Sequence, residues 1–207
     1  ALTLEGDWQG KARRIPLDGG ALTITLNDGG ACFNLNGVVQ ESAPGVLTLR
    51  KEGHAALLNL LNLSGIGARQ AETITAGVVD WVDSDTAPLP GGAEDGAYRG
   101  KMNAVLPPNT LMADVTELRS INGMDAAAWT KVQPWVCALP IAGPVPVNIN
   151  TFPPEQAIVL SAFAPSDLPP PMLRSILAKR PLGGYGSLVR FWEQPELAKA
   201  KGNPALV

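Results

Sequence analysis

The sequence has little of what most enzyme and metal chemistry draws on. It holds one histidine, His54, and two cysteines, Cys32 and Cys137, with 5% aromatic and 17% charged residues. The histidine lies in a leucine-rich run and has no recognisable serine, carboxylate or metal-ligand partner, so no triad or zinc-type site can be assembled around it. Neither a P-loop nor a Rossmann glycine fingerprint is present. No stretch of 18 apolar residues occurs, so the chain as given carries no membrane-spanning helix, and no signal-peptide pattern is visible. The abrupt opening ALTLEGDW reads as a piece trimmed of an N-terminal segment. Lysine and arginine are dispersed apart from small knots at Lys11–Arg14 and Lys179–Arg180, and the net charge is −3. That balance argues against a nucleic-acid partner.

What is present is a globular composition. Hydrophobic residues make up 45% of 207 positions, a chain long enough to bury roughly 70% of its unfolded surface. Length fits one or two domains. The 22 glycines and 19 prolines imply many turns and short elements.

Residues 20–36, GALTITLNDGGACFNLN, alternate as a β-hairpin, with the turn at Asn27-Asp28-Gly29-Gly30. Residues 53–63 and 68–82 read as helices around Ser64-Gly65-Ile66-Gly67, the second with Ala71, Ile74, Val78, Trp81 and Val82 on one stripe. A loop follows over 84–93, then a short helical turn within 94–103. Further helices are expected at VTELRSI and at DAAAWTKVQPWV, the latter capped by Asp125. Trp135–Leu139 and the alternating Val145, Val147 and Ile149 read as strands. Three more helices follow: EQAIVLSAFA, MLRSILAKR opened by prolines at 169–171, and LVRFWEQ capped by Ser187. The tail after 195 reads as frayed. Strands, helices, strands, helices in that order predict an α+β sheet with a helical insertion.

One stretch, DWVDSDTAPLPGGAED at 80–95, concentrates five carboxylates: Asp80, Asp83, Asp85, Glu94 and Asp95. Asp80 and Asp83 share a face at the C-terminal end of a helix, where the macrodipole is already negative and a cation is favoured. Counted from Asp83, Asp85, the Leu89 carbonyl and Glu94 fall at positions 3, 7 and 12 of an EF-hand loop. Ala87 at position 5 and Pro88 at position 6 break that pattern. Oxygen-only side chains suit a hard cation such as calcium and do not suit zinc. The alternative is a solvated acidic loop. A glycosidase-type carboxylate pair finds no other support in the sequence. The cysteines read equally as two buried thiols or as one disulfide.

LSGIGARQAETI resembles a helix-hairpin-helix element, whose hairpin N–H groups can grip phosphate. A weaker copy surrounds Arg119 and Asn122-Gly123-Met124, and a third spans 147–191. Two of the three lack Gly-x-Gly, so compact packing of short helices is the favoured reading.

ACFNLN at 31–36, DWVDSD at 80–85, PGGAEDGAY at 90–98, TELRSINGM at 116–124, PWVCALP at 134–140 and PVNINTFPPE at 146–155 form an ordered series. The series resembles the minor pseudopilin K family of the bacterial type II secretion system, over about residues 20–192. The resemblance implies a pilin-like fold, a long N-terminal helix on a small antiparallel sheet, with a helix-hairpin-helix (SAM-like) domain inserted. The implied division is 1–37 and 134–207 for the pilin-like part and 38–133 for the insertion. It implies a structural protein with no enzymatic activity, at the tip of the periplasmic pseudopilus, bound to minor pseudopilins I and J and facing the secretin or an exoprotein. It implies calcium, one or two ions, held by Asp80, Asp83, Asp85, Glu94 and Asp95. It also implies a Cys32–Cys137 disulfide, since the periplasm is oxidising. The resemblance leads one to expect a membrane anchor before the sequence given and further strands after Val207. The rival readings are a helix-hairpin-helix DNA-binding module and a free-standing calcium-stabilised adhesion domain.

Overall fold

The computed structural model describes residues 2–6, 8–99, 105–197 and 200. The elements run β1 (Ala12–Leu17), β2 (Gly20–Thr25), β3 (Phe33–Asn34), β4 (Val39–Ala43), β5 (Val46–Leu49), α1 (Lys51–Leu63), α2 (Ala68–Val82), α3 (Asp95–Tyr98), α4 (Ala126–Val132), β6 (Val136–Cys137), α5 (Ala157–Ser161), α6 (Pro170–Ala178) and α7 (Leu188–Trp192). Short 3-10 turns lie at Leu35–Val38, Val115–Ser120, Gln133–Trp135, Pro154–Gln156 and Pro195–Leu197. The class is α+β, with helices outweighing strands.

The helices form where the apolar stripe and the caps agree. α1 and α2 bury Leu57, Leu60, Leu61, Ile74, Val78 and Trp81 against each other and against the Leu35–Val38 turn. Between them Gly65 takes φ +78, the Gly65 N–H donates to the Asn62 carbonyl and the Ile66 N–H to the Leu61 carbonyl. That is a Schellman stop, and the buried Leu61 and Ile66 supply its hydrophobic contact. Asp125 and Ser187 cap α4 and α7 through their side chains, as predicted. Gly53 lets α1 approach the 35–38 turn, because a Cβ there would sit 2.1 Å from the Gly37 carbonyl oxygen. One apolar cluster runs from Ala31 to Ala200, and the Asn59 amide of α1 donates to the Ala162 carbonyl just beyond α5.

The strands depart from expectation. Among the described residues they form three separate two-stranded ladders: β1–β2 and β4–β5 antiparallel, β3–β6 parallel. β2 does not fold back onto Cys32–Leu35. It pairs with β1 across Asp18-Gly19, with Leu17 opposite Gly20. Asp-Gly is the natural two-residue hairpin turn, and Gly19 takes the left-handed φ of +82 that it needs. Asp28, expected at the turn, instead accepts from the Gly30 N–H and from the Thr151 hydroxyl. The strand predicted over 145–149 does not form. Pro144 and Pro146 remove two ladder donors, and Arg180 donates to the Ile149 and Phe152 carbonyls instead. Of the tail expected to fray, Pro195–Leu197 forms a 3-10 turn with Leu197 fully buried; residues 198, 199 and 201–207 lie outside the described residues. The helical turn expected within 94–103 is α3 at 95–98, and its far end lies outside the described residues.

Two buried asparagines of the FNLN run lengthen the minimal β3–β6 ladder. The Asn36 side chain is fully buried, donates to the Met112 and Leu139 carbonyls and accepts from the Met112 N–H at 2.8 Å. Asn34 accepts from the Leu139 N–H and donates to the Ile141 carbonyl. Side-chain amides here imitate a strand's backbone and satisfy groups that two ladder residues cannot reach. Beside them Cys32 and Cys137 form a disulfide, Cα atoms 5.8 Å apart, across 105 positions. Closing a loop of that length is worth about 4–5 kcal/mol in chain entropy.

β1–β2 stands apart from this core. Both strands are exposed along their whole length. The register places Ile15, Leu17, Leu22 and Ile24 on one face, and each is 38–57% exposed.

A candidate cation cradle at the end of α2

The five carboxylates predicted as ligands divide three ways. Asp83, Asp85 and Glu94 each present an oxygen within 4.8 Å of the other two. Asp80 is elsewhere occupied: fully buried, it accepts from the Leu89 N–H at 3.0 Å through Oδ1 and from the Ala93 N–H at 2.7 Å through Oδ2. Asp95 is half-exposed and paired with Arg99 at 2.6 Å. So Asp80 folds the loop, the buried Asp83 and Glu94 converge with the exposed Asp85 beside it, and Asp95 pairs with Arg99.

The local sequence explains this arrangement. α2 is buried continuously from Ile74 to Val82, so its end carries Asp80 and the following Asp83 into the interior. Pro88, Pro90 and Gly91-Gly92 turn the chain back, and the Leu89 carbonyl accepts the Gly92 N–H in that turn. Gly92 passes so close to Asp80 that a Cβ there would lie 1.9 Å from Oδ2. Asp85 closes an Asx turn on the Ala87 N–H, and Asn109 holds the Asp85 carbonyl. The loop is thus not an EF-hand: its interior is filled by the Asp80 carboxylate from the preceding helix.

The electrostatics are unfavourable as they stand. Asp83 and Glu94 are 5% and 8% exposed, and among the described residues Asp83 Oδ1 and Glu94 Oε1 have no hydrogen-bond partner. Burial, and then the neighbouring carboxylates, push both groups up to about 7. Asp80 is also raised by burial, partly offset by its two backbone donors. Buried, unpartnered carboxylate oxygens call for a compensating charge. Two calcium–oxygen bonds of about 2.3–2.6 Å span up to about 5 Å, so the separations within the trio fit one such ion. Carbonyls or water would complete its shell.

An aromatic pair lies next to the acidic loop. Trp81 packs edge-on to Tyr98 and donates its indole N–H to Glu117 Oε2 at 2.9 Å. Glu117 also closes the capping box of the 115–120 turn. His54 stands apart on α1, its pKa lowered by burial.

Sequence reasoning grouped the five acids by composition, and it did not foresee Asp80's role as a clamp or the burial of Asp83 and Glu94. The Pro/Gly return was the one available signal, since it must bring Glu94 back towards the helix end.

Residues 31–141 match the family model described as type II secretion system (T2SS), protein K. The chain belongs to that family. A second protein K model matches residues 147–207. The protein K of Klebsiella pneumoniae is 36% identical over 196 residues, covering 95% of this chain and 60% of its own. That of Pectobacterium carotovorum is 34% identical, over 88% of this chain and 56% of its own. The chain therefore spans a little under two thirds of the length of these relatives. Among solved structures, a chain of the GspK-GspI-GspJ complex from the type 2 secretion system of enterotoxigenic Escherichia coli superposes with a TM-score of 0.84 at 31% identity. The superposition covers 99% of this chain and 69% of that one. The protein K family is a structural component of a secretion system. Among the described residues no helix is long and apolar enough to cross a membrane.

Proposed function

We propose that the protein is a minor pseudopilin at the tip of the type II secretion pseudopilus, where it helps start assembly and acts structurally rather than as an enzyme. The near-complete superposition on a chain from a GspK-GspI-GspJ complex carries this reading. Its partners are the minor pseudopilins I and J, and at the tip the secretin or an exported protein. It works in the periplasm, held to the inner membrane by an N-terminal helix. The disulfide agrees with an oxidising compartment. The exposed apolar face of β1–β2 supports a partner contact in the pilin-like part. Residues 38–133 are the inserted helix-hairpin-helix (SAM-like) domain, and Cys32 with Cys137 fastens its two roots. Co-expression with the pseudopilins I and J of the same organism tests the reading. A ternary complex in gel filtration is the expected outcome, and three separate peaks would sink it.

The cradle is a structural calcium site on this reading. Asp83, Asp85 and Glu94 hold the ion, Asp80 shapes the loop around it, and Asp95 lies at the rim. The two buried oxygens without partners support it. The ion supplies positive charge that fixes the loop, with no reaction attached. Extracellular-type sites have dissociation constants of about 10⁻⁴–10⁻³ M. Calorimetric titration with calcium against a chelator-treated sample checks this, and the absence of any binding heat or thermal shift would end it. The DNA-binding alternative is disfavoured, because the Gly65 and Ile66 N–H groups are already committed within the chain.

A further inference from the structure

Ser84 lies between two of the converging carboxylates, Asp83 and Asp85, yet its own bonds point away from them. The Ser84 N–H donates to the Leu47 carbonyl at 3.0 Å, and the Leu47 N–H donates back to Ser84 Oγ at 2.9 Å. Ser84 Oγ also lies 3.5 Å from the Gly45 carbonyl. This reciprocal pair is what a third strand would make with β5. Among the described residues, the hydrogen bonds that tie 45–47 to the body of the protein all end on Ser84. The remaining bonds of the tip are internal: the Gly45 N–H to Glu41 and the Ser42 hydroxyl to the Val46 carbonyl. Residues 40–46 are exposed; Leu47 and Leu49 hold the base of the hairpin on the core, while its tip has only its own two-stranded ladder, which is marginal in water.

From this geometry we infer that cation occupancy of the cradle controls the order of the β4–β5 hairpin, with Ser84 as the positioning residue that transmits it. The inference rests on the cation reading of Asp83, Asp85 and Glu94. With an ion in place, both neighbours of Ser84 are pinned to one centre. Its N–H and hydroxyl are then fixed in register with Leu47. Without the ion, the carboxylates on either side of Ser84 repel each other, the 83–85 run opens, and both links to Leu47 loosen together. The hairpin tip then moves as a local unit while the core stays folded. The edge of β4 is thereby presented in one fixed position only when the cation is bound.

Hydrogen exchange of this 207-residue chain, with saturating calcium or with chelator, tests the inference. Calorimetry on the same samples records whether calcium binds. Calcium is expected to slow exchange of the Leu47 amide by about tenfold or more. Ser84→Ala keeps all three carboxylates but removes the acceptor for that amide. It should still bind calcium, with the slowing at Leu47 reduced to less than about threefold. Binding heat without any change at residues 42–48 of the wild-type chain would overturn the coupling and leave the cation site standing. A full calcium effect in the alanine variant would overturn the role of Ser84. If no calcium binds, the site and the coupling fall together.

Discussion

The β1–β2 hairpin and the cradle at the end of α2 invert the usual rule in opposite senses. The hairpin holds Ile15, Leu17, Leu22 and Ile24 in water, and the cradle holds Asp83 and Glu94 out of it. The exposed aliphatics cost little as they stand, since single exposed apolar residues are common. The buried carboxylates cost much more, because their oxygens have lost water and gained no donor. On the proposed reading both sites await a ligand, and the scale of the energy each would gain differs. The cradle would take a point charge at one position, and the hairpin an apolar surface of matching shape.

The largest effect that would break this contrast lies at Asp80. Asp80→Ala leaves the part-buried Leu89 N–H and the buried Ala93 N–H without their acceptor. Two charge-assisted bonds put the expected loss at about 3 kcal/mol in urea denaturation. A loss under about 1 kcal/mol would mean that the loop does not depend on this clamp. Next comes the ion. At a hundredfold excess over its dissociation constant, calcium should add about 2.7 kcal/mol, or about 5–10 °C in melting temperature for a domain of this size. Asp83→Asn should erase that shift and, at pH 7.5 without calcium, melt higher than the wild type. An unchanged calcium shift in that variant would remove Asp83 from the site.

A smaller effect should follow pH. Asp83 and Glu94 have folded-state values of about 7 against ordinary values of 3.8 and 4.5. Between these limits the folded chain binds more protons than the unfolded one, so stability is greatest on the acid side and falls as pH rises. Without calcium, the melting temperature should therefore drop from pH 5 to pH 8. Calcium binds the ionised form, so its stabilising increment should grow over the same range. A flat ion-free profile would show that these carboxylates are not buried together. The smallest stability effect belongs to the hairpin. Leu22→Ser and Ile24→Ser should change stability by less than about 0.5 kcal/mol while weakening capture of the pseudopilins I and J. A loss above about 1.5 kcal/mol would show that this face is packed within the chain.

The sequence made some of this visible and hid the rest for definite reasons. The bounds of α2 followed from its stripe, and Asp125, Ser187 and Pro169 marked helix starts through local chemistry that needs no tertiary context. Pairing was not local. GALTIT could pair forwards or backwards, and Asp18-Gly19 decided the matter more strongly than Asn27–Gly30. The parallel β3–β6 contact joins residues about a hundred positions apart, and no turn announces it. Asn34 and Asn36 looked like ordinary polar residues of a strand, because their partners at 112 and 139–141 come from distant loops. In the acidic stretch, composition gave the kind of ligand. It could not divide five like carboxylates into one clamp, three converging groups and one surface pair, since that division depends on which side of the chain each faces.

The bridge between Cys32 and Cys137 also has a mechanical meaning. If the chain is pulled from points before residue 32 and after residue 137, tension crosses the bond between the two sulfurs. The residues between them are outside the load path. About 350 Å of contour length is stored behind that bond. A force applied along the chain cannot extract it while the bridge is closed, so the cation cradle and the paired helices keep their shape under a pull that would stretch a reduced molecule.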